Sequence, residues 1–163
     1  MLRNLHDALR PYDRELGGAR ELRDDIERLL GQLQPADARQ RSAISSLGER
    51  LNALTPAVCA SSLRTQALHG DISLRNLLRT RRRLVWNDFE DTYRGPVHWD
   101  VASAVSSLRM HGADTRSVRE MLDAYGWDEE QELAPFLAAQ DVYDEIWLMC
   151  DRQRRRSWRA AAS

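Results

Sequence analysis

The sequence predicts a mainly α-helical domain interrupted by one small β-hairpin. Apolar residues recur at helical spacing on both sides of the chain's middle. Strand-like runs are confined to roughly 66–90. The 163 residues, 42% hydrophobic and 30% charged, are enough for one well-cored soluble domain. Residues 1–163 therefore read as a single domain, helical over 1–64, with a central segment over 65–102 and helical again over 103–163.

Leu2, Leu5 and Leu9 predict a helix to about residue 9, broken at Arg10-Pro11, with a looser segment through Leu16 and punctuation at Gly17-Gly18. Leu22, Ile26, Leu29, Leu30 and Leu33 fall at i, i+4, i+7, i+8 and i+11, one face of an amphipathic helix. Ile44, Leu47, Leu51 and Leu54 predict a helix over 36–54 that ends before Pro56, and 55–64 read as a loop. The central segment supplies two or three short strands. Trp99 to Arg109 opens a helix after Gly95-Pro96, and Val118, Met121, Leu122 and Tyr125 mark the next, stopped by Gly126. Asp128-Glu129-Glu130-Gln131 reads as a cap and acidic first turn. The last helix carries Leu133, Phe136, Leu137, Tyr143, Ile146, Trp147 and Cys150, and runs out in Arg152 to Arg156.

No apolar run approaches the roughly 20 residues a membrane span needs, and Met1 to Asp7 lack the apolar core of a signal peptide. Cys59 and Cys150 make no disulfide framework, so a reduced, cytoplasmic location is expected. A net charge of -1 gives no global field for nucleic acid or anionic lipid. Arg79 to Arg83 has no interleaved aromatics for base stacking and reads as a solvated turn. Arg152 to Arg159 sits at a helix C-terminus, where cations are favoured. Neither a nucleic-acid nor a membrane partner is expected.

The stretch with chemical content is His69-Gly70-Asp71-Ile72-Ser73-Leu74-Arg75-Asn76, followed by Asp88-Phe89-Glu90. An aspartate, four spacers and an asparagine, then a hairpin and a second aspartate, is the order of a phosphoryl-transfer site. In such sites the first aspartate accepts the proton of the attacking hydroxyl, and the asparagine and later aspartate hold Mg2+ on the phosphates of ATP. Asn76-Leu77-Leu78 reads as a strand, Thr80 to Arg83 as a turn and Leu84-Val85-Trp86 as the returning strand. Asp88 is then expected near Asn76, two hard oxygen ligands suited to magnesium. A carboxylate is a weak base, so Asp71 is expected to act mainly by orienting the hydroxyl.

Leu68-His69-Gly70-Asp71, Asn76-Leu77-Leu78, Trp86-Asn87-Asp88-Phe89-Glu90 and Gly95-Pro96-Val97-His98-Trp99-Asp100-Val101-Ala102 together resemble the aminoglycoside phosphotransferase family of small-molecule kinases. The resemblance covers 68–102. It implies a protein-kinase-like fold, ATP as co-substrate with Mg2+, and a small-molecule hydroxyl as acceptor. It casts Asp71 as base and Asn76 and Asp88 as metal ligands. It casts His69, Gly70 and Asp100 as structural support: His69 packing beneath the loop, Asp100 fixing it through backbone N–H groups or merely capping a helix. Glu90, with Asp144 and Glu145 on the last helix, becomes a possible substrate contact, where carboxylates suit a polyamine-like acceptor. Ser73 stands where many kinases carry a basic residue, and Leu5-His6 matches a pair that follows the inter-lobe hinge.

All 24 basic residues are arginine, whereas a complete kinase uses an N-lobe lysine and a Gly-rich loop on the phosphates. The chain is therefore expected to be the C-terminal lobe of a protein-kinase-like fold with its N-lobe absent. The N-lobe is expected on a preceding open reading frame or on a partner chain, and apolar surface left exposed near residues 1–10 and at the hairpin would favour association with such a partner or as a homo-oligomer. The alternative is a non-catalytic pseudokinase fragment acting as a binding module. A metal-dependent phosphoesterase would need more clustered histidines than His6, His98 and His111 supply.

Overall fold

The computed structural model describes residues 1–60, 62–127 and 130–161. Among the described residues there are six α-helices and two small antiparallel sheets: α1 (Leu2–Leu9), α2 (Ala19–Gly31), α3 (Ala38–Val58), α4 (His98–Met110), α5 (Thr115–Tyr125) and α6 (Glu130–Ala161). Strands β1 (Gln66–Ala67) and β4 (Arg94–Gly95) make one sheet, β2 (Leu77–Arg79) and β3 (Leu84–Trp86) the other.

Several boundaries have a local cause. Asp37 caps α3 by accepting from the Gln40 amide at 2.7 Å, and Asp114 caps α5 by accepting from the Ser117 amide at 2.8 Å. Gly126 ends α5 in the left-handed conformation, at φ 87°. The β2–β3 turn closes through Thr80, whose amide and hydroxyl both donate to the Arg83 carbonyl, at 2.9 and 2.6 Å. The hydroxyl oxygen also accepts from the Arg83 amide at 3.0 Å.

Two apolar clusters hold the helices. Leu68, Ile72, Val101, Ala102, Val105, Leu133 and Phe136 pack beneath the 68–76 loop. Ile26, Leu47, Leu51, Val142, Ile146 and Cys150 join α2, α3 and α6. α6 belongs to both clusters, its early turns in the first and its middle turns in the second. It therefore sets the position of the α2–α3 pair relative to the loop.

The structure departs from the sequence expectations at several points. α3 continues through Pro56 to Val58. Proline removes the one N–H that would reach back to Asn52, but Asn52 and Pro56 are both exposed, where water can satisfy the freed carbonyl. The Cys59 amide still reaches Thr55 at 3.0 Å, so the turn closes regardless. α6 does not run out at Arg152 to Arg156 but extends to Ala161. Arginine is a good helix former, and Arg155 pairs with Asp151 one turn back at 2.7 Å. Leu74–Asn76 is a 3-10 turn, so the strand starts at Leu77 rather than Asn76. The β1–β4 pairing, extended by a bridge from Gly18 to Arg94, was not foreseen. The predicted cap at Asp128 and Glu129 lies outside the described residues. Among the described residues, no helix is long and apolar enough to cross a membrane.

Leu47, 1% exposed, is a large side chain buried in the second cluster. Leu47→Ala is expected to lower the unfolding free energy by about 2–5 kcal/mol, read from the urea midpoint at unchanged slope.

Candidate active site

The loop from Leu68 to Asn76 leaves the β1–β4 sheet and is bound along its length by one face of α4. Asp100 opens that face. Its Oδ2 accepts from the His69 amide at 2.9 Å and its Oδ1 from the Gly70 amide at 3.1 Å. One turn on, the Ser103 hydroxyl donates to the Ile72 carbonyl at 3.0 Å, and a further turn on, Ser107 Oγ accepts from the Leu74 amide at 3.0 Å. Positions 100, 103 and 107 share one helix face, so α4 acts as a ruler against which the loop is laid.

Gly70 is required at its position twice over. Its φ is 91°, a left-handed conformation that L side chains rarely adopt. A Cβ there would also collide with the Asp91 carbonyl. His69 is fully buried. Its Nε2 lies 2.9 Å from the Asn87 carbonyl, and its Nδ1 lies 3.3 Å from the Asp71 amide. Both partners are satisfied with the hydrogen on Nε2 and the lone pair on Nδ1. The ring contacts Trp86 and Phe89 at centroid distances of 5.8 and 4.5 Å. It thereby ties the loop to the end of the β2–β3 hairpin.

Asp71 is exposed, and Asn76 is buried beside it. Asn76 Nδ2 donates to the Asp71 carbonyl at 3.0 Å and to its carboxylate at 2.8 Å. The β2–β3 register pairs Leu77 with Trp86, and the Asn87 amide donates to the Asn76 carbonyl at 2.9 Å. Asp88 therefore leaves the hairpin on the strand beside Asn76, with φ 67°. A tight turn follows, in which the Thr92 hydroxyl donates to the Phe89 carbonyl at 2.7 Å.

A cleft of about 590 Å³ opens in front of Asp71 and Asn76. Glu90, Ser106, Asp144 and Trp147 line it, with Arg28 and Leu29 from α2 opposite. Asp144 is half-buried, accepting from the Ser106 hydroxyl at 2.5 Å and from Gln140 Nε2 at 3.0 Å. Asp88 is exposed and is not among the lining residues. Glu145 does not line the cleft either: it pairs with Arg50 of α3 at 3.1 Å.

Among the described residues, no group of three or more His, Cys, Asp or Glu is arranged to hold a metal ion. A closed zinc site or a multi-histidine phosphoesterase centre is therefore not formed by them. Asn76 and Asp88 present a different donor set. Asn76 uses its NH2 on Asp71, which leaves the amide oxygen. The Asp88 carboxylate makes no hydrogen bond to another described residue. Two oxygen donors, with water and phosphate supplying the rest, fit magnesium.

Sequence reasoning missed His6. It is 2% exposed, and its Nε2 lies 2.9 Å from Asp100 Oδ2 and its Nδ1 2.6 Å from the Tyr125 hydroxyl. The signal was present: His6 falls four residues after Leu2, on the apolar face of α1, and a buried imidazole needs partners. Burial first, then the Asp100 charge, pushes the Tyr125 hydroxyl up to about 12. The same two causes hold Tyr93 well above the ordinary phenol value. His98 is pushed below its usual value by burial, with Glu132 opposing. It stacks on Phe136 at 4.6 Å, as part of the helix packing.

The helical body, its small antiparallel sheets and the loop laid along α4 make up a kinase-like fold. The chain belongs to the phosphotransferase enzyme family, whose model matches residues 1–136. Solved structures share the fold. The choline kinase LicA from Streptococcus pneumoniae is 16% identical, with a TM-score of 0.68 over 93% of this chain and 54% of that one. A choline/ethanolamine kinase family protein from Mesorhizobium loti is 21% identical, with a TM-score of 0.64 over 91% and 50%. An aminoglycoside phosphotransferase from Streptomyces rimosus, in complex with ADP and streptomycin, is 16% identical, with a TM-score of 0.61 over 87% and 58%. The chain thus spans about half the length of the structures it matches. No curated protein matches it in sequence.

Asp100→Asn leaves one acceptor oxygen for three donors. It is expected to cost about 1–3 kcal/mol of stability, measured by urea unfolding. The folded state keeps the Tyr125 proton up to about 12, whereas the unfolded chain releases it near 10. This contribution to stability is complete below about pH 10 and is lost as pH rises through the folded value. Urea midpoints collected across that window should fall less steeply for Tyr125→Phe than for wild type.

Proposed function

We propose that this chain carries the catalytic loop, the metal ligands and the acceptor side of an ATP-dependent phosphotransferase acting on a small-molecule hydroxyl. The observation that supports this most is the Asp71–Asn76 pair. One asparagine amide holds both the backbone and the carboxylate of the exposed aspartate, at 3.0 and 2.8 Å, at the edge of a cleft. A carboxylate so held orients an acceptor hydroxyl and takes its proton as the hydroxyl oxygen bonds to the γ-phosphorus and the bond from that phosphorus to the bridging oxygen breaks, with ADP as leaving group. Positioning of this kind carries much of the catalysis when the transition state is loose. Asn76 Oδ1 and the Asp88 carboxylate would hold Mg2+, which when bound neutralises charge between the β- and γ-phosphate oxygens.

Glu90 and Asp144 line the cleft and are the proposed acceptor contacts; they favour an acceptor that carries positive charge. Glu145, a further possible contact, stands outside the cleft lining and pairs with Arg50 at the surface. The choline kinase LicA is known in complex with AMP, and the Streptomyces rimosus enzyme with ADP and streptomycin. These relatives support a nucleotide and a small-molecule acceptor here. The sequence contains no lysine, so a phosphate-holding lysine would come from outside these residues, on an N-lobe-bearing partner or further chain. Leu78, Leu84 and Phe89 leave apolar surface exposed on and beside the hairpin, which supports a covering element there. The same lack of lysine favours a second reading, a binding module without turnover. A cytoplasmic location remains part of the proposal.

Calorimetric titration with ATP and magnesium separates the two. Wild type is expected to bind, with the heat lost in Asp88→Ala. Absence of heat in both would count against an assembled nucleotide site and favour the binding module. With an N-lobe supplied, Asp71→Asn is expected to lower turnover by about 10²–10⁴.

A further inference from the structure

His6 is a buried polar residue that the proposed chemistry leaves unused. It stands on α1, far in sequence from the loop, yet it touches three separate parts of the fold. Its Nε2 is 2.9 Å from Asp100 Oδ2, the same oxygen that accepts from the His69 amide. Its Nδ1 is 2.6 Å from the Tyr125 hydroxyl, at the end of α5. Its backbone carbonyl accepts from Gln66 Nε2, on β1, at 2.8 Å. The Tyr125 ring meets the imidazole edge-on, at 82° and 5.6 Å.

The hydrogen-bond directions follow from the partners. An aspartate carboxylate only accepts, so Nε2 carries the hydrogen and donates. The tyrosine hydroxyl then donates to Nδ1. Asp100, 1% exposed, receives three donors: one imidazole and the amides of His69 and Gly70. Two adjacent amides alone leave a carboxylate free to tilt about its terminal torsion. A third donor on Oδ2, itself anchored by Tyr125, removes that freedom.

We propose that His6 is a positioning residue for the Asp71 loop. By donating to Asp100 it sets the carboxylate so that its two oxygens face the His69 and Gly70 amides, and so fixes the backbone from which Asp71 projects. The ordering of α1 against the fold is thereby coupled to the order of the loop. The importance of this for catalysis rests on the phosphotransfer reading; the coupling itself is independent of it.

The test is amide hydrogen exchange by NMR on the full chain. In His6→Ala, the His69 and Gly70 amides should exchange at least about tenfold faster, the loss of one net hydrogen bond. The Val142 and Ile146 amides, in the α6 segment of the other cluster, should be unchanged. His6→Gln keeps an N–H near the Nε2 position and should recover most of the protection. Unchanged exchange at His69 and Gly70, or an equal acceleration at all four amides, would overturn the proposal, because a histidine that only adds stability acts everywhere. Should His6→Ala not fold, Tyr125→Phe decides: a selective acceleration at His69 and Gly70 supports the coupling, and none overturns it. Calorimetry with ATP and magnesium on the same wild-type sample keeps the two ideas apart. A protein that binds no nucleotide but shows the selective exchange would retain the positioning role and lose the phosphotransfer reading.

Discussion

The buried Asp100 carboxylate is the interaction on which the rest of this site depends. A carboxylate removed from water is stable only when its oxygens are occupied by donors. Here the donors come from α1 and from two successive loop amides. Satisfying the charge and shaping the loop are therefore the same event. The loop cannot leave its place without stranding a buried charge, and the charge could not be buried without the loop. Ser103 and Ser107 extend the arrangement down the same helix face, so the loop from His69 to Leu74 takes its path from α4.

Around that anchor the two sheets do different jobs. The β1–β4 sheet fixes where the loop begins, with the Leu68 amide donating to Tyr93 at 2.9 Å and Gly17 and Gly18 joined to Arg94. The β2–β3 hairpin fixes where it ends and brings Asp88 alongside Asn76. His69 connects the two through the Asn87 carbonyl. The cleft is completed from a distance by α6, which is packed into both apolar clusters and presents Asp144 and Trp147 on the open side. The Asp144 carboxylate, accepting from Ser106 and Gln140, is held in one orientation.

Much of this was legible in the sequence because it rests on local rules. The helices followed from apolar spacing, the hairpin from Thr80 to Arg83 between two strand-like runs, and the family from motif blocks at set intervals. The failures were equally physical. Pro56 was read as a stop because a proline lacks a donor, but an exposed carbonyl can be left to water. The arginine run was read as the end of the last helix, although an i, i+4 pair of Arg155 with Asp151 sustains it.

The sequence by itself determined which residue types stand at the site and their spacing along the chain: His69, Gly70, Asp71, Asn76, Asp88 and Asp100 lie within 32 residues, where loop and hairpin geometry relate them. The tertiary structure alone decided what reaches that site from elsewhere. His6 lies 94 residues from Asp100 and 119 from Tyr125, and Asp144 is 38 from Ser106. No periodicity encodes such separations. They arise only when packing brings α1, α4, α5 and α6 together and each buried polar group must find a partner.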